Sequence, residues 1–110
     1  MKGLKMTKYI TITTTFNNQK EADKIIALLL EKRFVSCCQL SNIVSSYHWK
    51  NKIEHTPELL LQMKTKKELY PKVERIILEN HSYETPQIIA YDIMDGFRNY
   101  LDWIEQETIE

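Results

Sequence analysis

Glycine is almost absent from the chain: among 110 residues it occurs only at Gly3 and Gly96. Loops that bind nucleotide phosphates need several glycines, because the backbone must approach the phosphate without an intervening Cβ atom. Two isolated glycines build neither a P-loop nor a dinucleotide-binding fingerprint. The sequence therefore excludes the nucleotide-binding folds that depend on those loops.

Cysteine and long apolar segments are also scarce. The two cysteines, Cys37 and Cys38, are adjacent, and on a strand their side chains would point to opposite faces, so no disulfide is expected between them. No window reaches the roughly 18 apolar residues of a membrane span, and the basic first residues lead into no apolar segment typical of a secretory signal. We therefore expect a cytoplasmic protein with free thiols and no membrane partner.

The charge shows no excess of either sign. Fifteen Lys and Arg residues balance fifteen Asp and Glu residues, whereas nucleic-acid-binding domains usually carry a clear basic excess. The sequence therefore predicts no nucleic-acid partner. A chain of this length, 43% hydrophobic, is sufficient for one domain with one core. We expect residues 1–7 to be a flexible leader and residues 8–110 to form that domain.

The apolar pattern alternates between strand and helix periodicities. Strands are predicted where β-branched and aromatic residues dominate, and helices where apolar residues recur at i, i+3, i+4 and i+7. Asn51 suits a tight turn between two long strands, and Pro71 suits the first turn of a helix. The predicted elements are a strand at 9–16, a helix at 19–33, strands at 34–49 (interrupted near Ser41 and Asn42) and 53–65, a helix at 69–80, a strand at 87–93, and a final helix with Phe97, Tyr100, Leu101 and Ile104 facing inward.

The order β-α-β-β-α-β, followed by a terminal helix, predicts an α+β fold of the ferredoxin-like type. This fold is an antiparallel sheet with helices packed on one face. The opposite face would be left bare, with Leu60 and several aromatic side chains exposed. Exposed apolar surface of this kind usually marks an interface. We therefore expect an oligomer rather than a monomer.

Polar residues with catalytic or ligating potential concentrate in HSYET, residues 81–85. The three histidines, His48, His55 and His81, show none of the sequence spacings typical of metal sites. Glu58 and Glu84 lie at predicted strand entries, Glu58 next to Pro57 and Glu84 two residues before Pro86. The remaining carboxylates considered are expected to be solvated on helix faces: Glu21, Glu31, Glu68 and Glu74.

Four strings in the same order resemble the CutA family of divalent-cation tolerance proteins. SYHWKNKIE (46–54) is similar to the family's Y-x-W-K-G-K-I-E hairpin, and ELLLQMKT (58–65) to its E-x-x-L-x-x-K-T strand. HSYETPQII (81–89) is similar to H-P-Y-E-x-P-x-I-I, and NYLDWI (99–104) to the closing Y-L-x-W helix. The similarity extends over residues 8–105, nearly the whole chain.

The resemblance implies a ferredoxin-like subunit in a tight homotrimer, with hairpin strands that pair across subunits and a cleft between subunits. The residues that it places in this cleft are Tyr47, Trp49, Glu58, Lys64, His81, Tyr83, Glu84 and Pro86. It also implies a non-enzymatic role in tolerance of, and response to, divalent metal ions such as copper. His81, Glu58 and Glu84 are then the possible nitrogen and oxygen ligands of a divalent metal ion such as Cu or Zn, with the metal site itself assigned to His81 and Glu84; the resemblance implies no other cofactor.

Some positions depart from the family pattern. Ser82 stands where the family usually has proline, and Asn51 where it has glycine. Some bacterial relatives have a cysteine and a histidine linked to copper at the positions of Thr14 and Asn80. In those relatives the histidine at the position of Asn80 is one of a pair, and only the second member of the pair, His81, is present here, which weakens a copper site of that construction.

Two alternatives remain open at the level of sequence. The family is similar in architecture to the PII signalling trimers, whose clefts hold small ligands, so the protein could be a PII-like small-molecule sensor. A small hydrolase with Glu84 or His81 as the base is the other alternative. General acid–base catalysis needs a partner group and a tuned pKa, and the sequence shows neither a nucleophile motif nor a second carboxylate fixed beside the base.

Overall fold

A computed structural model describes residues 7–110, so the predicted leader at 1–7 lies outside the described residues except for Thr7. Within that range the chain forms four strands and three α-helices, and the predicted element order is confirmed. Their bounds are β1 Tyr9–Phe16, α1 Gln19–Glu31, β2 Cys37–Trp49, β3 Lys52–Lys66, α2 Tyr70–Asn80 after a 3-10 turn at Lys67–Leu69, β4 Ile88–Asp92 and α3 Arg98–Glu107. Over residues 7–110, no helix combines the length and apolar character that crossing a membrane requires.

The strands form one antiparallel sheet in the order β2-β3-β1-β4. β1 lies between β3 and β4, and its pairing with β3 runs from Tyr9–Lys66 to Phe16–Leu59. One face of the sheet packs against α1 and α2, because most of the side chains that β1 and β3 direct to this face where they pair are apolar. The core on that face comprises Ile10, Ile12, Phe16, Ala22, Ile25, Leu29, Val35, Leu61, Met63, Val73, Ile76 and Ile77. The predicted antiparallel α+β architecture is confirmed.

Helix α3 lies on the opposite face of the sheet. Tyr9 and Lys66 are register partners on that face, and both contact Glu105 of α3: the Tyr9 hydroxyl donates at 3.1 Å and Lys66 Nζ lies 3.4 Å away. Glu105 supplies the opposite charge that the buried Lys66 ammonium requires. The prediction of a wholly bare second face is therefore wrong, and Leu60 on that face is half-buried rather than exposed.

Only part of the predicted inner face of α3 is buried within the chain. Ile104 is fully buried and Leu101 half-buried, but Phe97 is 73% and Tyr100 is 40% exposed. The prediction of these two aromatic residues as inward is wrong for the single chain. The helix contacts the sheet through its second half, around Ile104 and Glu105, so its first turn stays on the surface.

The connection from α1 to β2 is longer than predicted. Arg33 adopts the left-handed conformation (φ 58°), and the Phe34 amide donates back to the Leu29 carbonyl at 3.0 Å, which closes the helix as a Schellman motif. Strand β2 therefore begins at Cys37 rather than at residue 34. Cys37 and Cys38 are both free and occupy opposite faces of the strand, as predicted.

β2 and β3 form a hairpin closed by Lys50 and Asn51. Trp49 pairs with Lys52, and the two turn residues have φ values of 50° and 64°, which corresponds to a type I′ turn. The predicted position of Asn51 in the turn is confirmed. The predicted interruption near Ser41 and Asn42 is wrong, because their pairing with β3 continues without a break.

The turn sequence is not the best one for this geometry, since type I′ turns favour Asn followed by Gly. The double variant Lys50→Asn/Asn51→Gly is expected to raise the free energy of unfolding by about 1 kcal/mol, because glycine removes the cost of the left-handed conformation. Urea denaturation at fixed chain concentration measures the change. Lys52→Asn, just outside the turn, is the control and should give no gain; equal stability of the double variant and the wild type would contradict the prediction.

Candidate functional site

The segment from 81 to 87, hereafter the loop, follows α2 and begins with a histidine whose buried side chain lies against the end of β1. The His81 side chain is 0% exposed and stacks on the Phe16 ring, with centroids 4.8 Å apart. Its Nε2 donates to the Thr15 carbonyl at 2.7 Å, and its Nδ1 accepts from the Tyr83 amide at 3.1 Å. One nitrogen donates and the other accepts, so these contacts hold the imidazole as the neutral Nε2–H tautomer.

Glu21, in the first turn of α1, holds the loop from the helix side. Its carboxylate accepts from the Ser82 hydroxyl at 3.2 Å and lies 3.5 Å from His81 Nδ1. The Glu21 side chain is only 12% exposed, so its prediction as a solvated carboxylate is wrong. Glu74 is likewise half-buried and accepts from the Tyr70 hydroxyl at 2.8 Å.

Glu58 joins the loop to the hairpin. Its carboxylate accepts from the Tyr83 hydroxyl at 2.6 Å and from the Ser45 hydroxyl at 2.6 Å. Hydrogen bonds from hydroxyls to a carboxylate are shorter and stronger than neutral ones. Burial, followed by the hydrogen bond to Glu58, raises the pKa of Tyr83 well above its ordinary value. The phenol therefore stays a donor at neutral pH.

Residues 43–58, hereafter the arm, extend the hairpin beyond the rest of the sheet. β1 pairs with β3 only from Leu59 onward, so in the arm β2 and β3 pair only with each other within the described chain. Tyr47 and Trp49 lie on the arm with 42% and 58% exposure, and the Tyr47 hydroxyl is 3.0 Å from Thr56 Oγ1. Two of the three predicted aromatic site residues, Tyr47 and Trp49, therefore lie near the tip of a projecting two-stranded ribbon.

The remaining predicted cleft residues are spread more widely. Lys64 lies six positions beyond Glu58 along β3, about 20 Å at 3.4 Å per residue, and its ammonium donates to Gln39. Glu84 is exposed and Pro86 is half-buried in the loop. Within one chain the structure thus brings together Glu58, His81 and Tyr83 but leaves Lys64 apart. A cleft between subunits stays a prediction.

His81 and Glu84, the predicted metal ligands, do not fit a metal ion as they are arranged in this chain. A ligating imidazole needs a free lone pair, and the Nδ1 lone pair of His81 already accepts from the Tyr83 amide. Among residues 7–110, no group of three or more His, Cys, Asp or Glu side chains is placed to hold one ion, so His81 and Glu84 have no third protein ligand placed with them. The described geometry therefore assigns His81 to holding the loop.

The two positions linked to copper in some relatives have other uses here. Asn80 Nδ2 donates to the Ile76 carbonyl at 2.8 Å and closes the last turn of α2. Thr14 is fully buried on the core face of β1, and within the described chain its hydroxyl has no hydrogen-bond partner. A buried hydroxyl without a partner is destabilising.

Thr14→Val is therefore expected to raise the free energy of unfolding by about 1 kcal/mol, since it removes an unpaired hydroxyl from the core. Thr65→Val is the matched control, because Thr65 is equally buried but its hydroxyl donates to the Phe34 carbonyl. That control should lose about 1 kcal/mol. Chemical denaturation of both variants tests the pair, and destabilisation of the Thr14 variant would contradict the prediction.

Sequence reasoning missed two residues that complete the network, Glu21 and Ser45. A signal for Glu21 existed: Asn18 and Glu21 have the spacing of a capping box, and Asn18 Oδ1 does accept from the Glu21 amide at 2.8 Å. This places the Glu21 carboxylate in the first helical turn, where the loop arrives. Ser45 gives no local signal, because its approach to Glu58 depends on the hairpin register.

Comparison with known proteins identifies the family of the chain. The family model described as CutA1 divalent ion tolerance protein matches residues 10–107. The divalent-cation tolerance protein CutA of Archaeoglobus fulgidus is 37% identical over 105 residues, which cover 96% of this chain and 100% of that protein. Its counterpart from Pyrococcus horikoshii is 34% identical over 99 residues, covering 90% of this chain and 97% of that protein. The crystal structure of CutA1 from Shewanella sp. SIB1 matches with a TM-score of 0.91 at 31% identity, covering 96% of this chain and 100% of that chain.

The fold and the loop network define a ferredoxin-like α+β protein with a projecting hairpin arm. The match to the family model over most of the chain, with relatives above 30% identity, identifies that class more narrowly. The chain belongs to the CutA1 family of divalent-cation tolerance proteins.

Proposed function

We propose that the chain acts without enzymatic activity as a cytoplasmic, cyclic homotrimer that supports tolerance of divalent metal ions such as copper. The observation that carries this proposal is the network around the loop. Glu58 joins the loop to the arm, and His81 joins it to β1. The motif residues thus position the arm against the body of the subunit, which is what an assembly built through the arm requires.

The same network favours this function over the two alternatives. A general base must accept a proton from a substrate, but both ring nitrogens of His81 are engaged with the backbone. A small-molecule pocket presents a few polar groups to its ligand, whereas the Glu58 carboxylate is directed at Tyr83 and Ser45. These side chains hold the chain together rather than face a substrate.

The exposed arm supports assembly. A two-stranded hairpin is marginally stable in water by itself, and a free strand edge invites pairing with another chain. The arm also exposes apolar side chains, with Val44 at 69%, Ile53 at 63% and Trp49 at 58%. A neighbouring subunit that covers the arm would pair with its free strand edge and bury these apolar side chains.

A second exposed apolar surface lies on β4, the segment after it, and α3. Its members are 38% to 73% exposed: Ile89, Tyr91, Met94, Phe97, Tyr100 and Trp103. Because this surface and the arm are different parts of the subunit, contact between them is head-to-tail, and such contacts form a ring when the rotation between subunits closes. We take three as the number of subunits because the family resemblance implies a trimer.

The link to metal tolerance is tested in a bacterial strain that lacks its own CutA protein, grown in graded concentrations of copper. Expression of this chain should restore growth, and an equally expressed Trp49→Ala variant should not, because it loses the assembly. Failure of the wild-type chain to restore growth would contradict the tolerance function. Restoration by a monomeric variant would contradict the need for assembly.

The role of His81 is tested separately by calorimetric titration with Cu(II) and Zn(II). We expect the His81→Phe variant to give the same heats as the wild type, because the buried imidazole has no lone pair free for an ion. Light scattering of both proteins checks that they share the same assembly. Loss of binding in a correctly assembled variant would make His81 a ligand and contradict its assignment to the loop alone.

A further inference from the structure

The hairpin register brings two histidines to the same face of the arm. His48 pairs with Ile53, and His55 pairs with Ser46. Paired residues of antiparallel strands share a face, so His48 and His55 are diagonal neighbours, with backbones about 7–8 Å apart. Their spacing along the sequence does not indicate a metal site, because it is the turn at Lys50 and Asn51 that brings them together.

The hydrogen bonding of the two imidazoles leaves both able to bind an ion. His55 Nδ1 lies 2.7 Å from the Ser46 hydroxyl, so it can donate there while Nε2 keeps its lone pair. Ligating histidines commonly have their second nitrogen oriented by such a hydrogen bond. His48 is exposed, and within residues 7–110 no hydrogen bond or ion pair engages it.

The geometry points to a metal site on the arm, formed by His48 and His55, for a late first-row divalent cation. Imidazole suits Cu(II), Ni(II) and Zn(II), and the order of complex stability places Cu(II) first. With metal–nitrogen bonds of about 2.0–2.1 Å, two imidazoles at diagonal positions can converge on one ion. Water or another ligand fills the coordination positions that the two imidazoles leave open.

The surroundings of the pair also define what the site excludes. The nearest arm carboxylate in sequence, Glu54, pairs with Tyr47 and therefore lies on the opposite face of the ribbon. Mg²⁺ and Ca²⁺ require oxygen ligands, chiefly carboxylates, so the pair does not favour them. The site needs only the hairpin register of one chain and goes beyond the proposed function, since it does not depend on assembly or on the loop.

The test is titration of the full-length protein with Cu(II) and Zn(II) chloride by calorimetry, with electron paramagnetic resonance of the Cu(II) form. The wild type should bind one Cu(II) per chain at this site, with superhyperfine coupling from two imidazole nitrogens, and should bind Zn(II) more weakly. H48Q and H55Q should each lose the two-nitrogen signal. Ser46→Ala should weaken binding by about 10-fold, the lower end of effects from residues that orient a ligand.

A matched control keeps the number of histidines constant. In H48Q/K52H the second imidazole moves to the opposite face of the arm, because Lys52 pairs with Trp49, and the two-nitrogen signal should again disappear. Retention of that signal in this variant or in H48Q/H55Q would overturn the site. Light scattering of the same samples separates the two proposals. A monomer that still binds one Cu(II) through both histidines contradicts the trimer and supports this site. A trimer without the two-nitrogen signal supports the trimer and contradicts this site.

Discussion

Replacing His81 by alanine is expected to lower the free energy of unfolding by about 3–5 kcal/mol, the range for truncating a large buried aromatic side chain. The ring is fully buried against Phe16 and satisfies the Thr15 carbonyl and the Tyr83 amide. Alanine would leave a cavity and two unpaired backbone groups. Urea denaturation at one fixed chain concentration measures the loss, because the apparent stability of an oligomer depends on concentration.

Two variants separate the causes of that loss. His81→Phe removes the same two hydrogen bonds but keeps a ring against Phe16 and leaves no cavity, so it should lose less free energy of unfolding than the alanine variant. His48→Ala is the exposed control and should change stability by no more than about 0.5 kcal/mol. If His81→Ala lowers the free energy of unfolding no more than His48→Ala does, the imidazole does not hold the loop.

The fold was largely predictable because it depends on local patterns. The alternation of apolar residues in β1 and the 3.6-residue period of α1 and α2 locate these elements within a few residues of their observed ends. Pro71 lies in the first turn of α2, and Asn51 lies in the hairpin turn, as their backbone preferences predict. Each of these features is determined by a few neighbouring residues.

The predictions that failed concern contacts between distant parts of the chain. Ser41 and Asn42 have low strand propensity, yet pairing with Leu60 and Leu59 keeps β2 continuous there, because tertiary pairing outweighs intrinsic preference in strands. Phe97 has the spacing of an inward residue but remains 73% exposed. The spacing of the apolar residues identifies one apolar face of the helix but does not show which surface covers that face.

The candidate site was predictable only in part for the same reason. Its motif residues are found in the sequence through the family resemblance, but their roles depend on partners that the motif does not contain. His81 resembles a metal ligand in sequence and is a neutral, doubly hydrogen-bonded side chain in the structure. Conversely, His48 and His55 show no pattern in sequence and become neighbours only through the hairpin register.

Trp49→Ala is expected to abolish the proposed homotrimer and to lower the free energy of unfolding by about 3–5 kcal/mol per chain, the range for truncating a buried tryptophan. In the single chain Trp49 is 58% exposed, and truncating a surface residue usually changes stability by no more than about 0.5 kcal/mol. A loss of the larger size therefore requires that a neighbouring subunit buries the indole. The magnitude alone distinguishes an arm that is covered from one that is free.

Light scattering at micromolar concentration gives the matching test of assembly. The wild type should have about three times the 13.1 kDa mass of one chain, and the Trp49→Ala variant should approach the mass of one chain. Lys52→Ala is the control, because Lys52 is the exposed register partner of Trp49 and its truncation leaves the indole in place, so both mass and stability should stay at wild-type values. A wild-type mass near 13.1 kDa would rule out the trimer, and with it the cleft between subunits to which Tyr47, Trp49 and the loop were assigned.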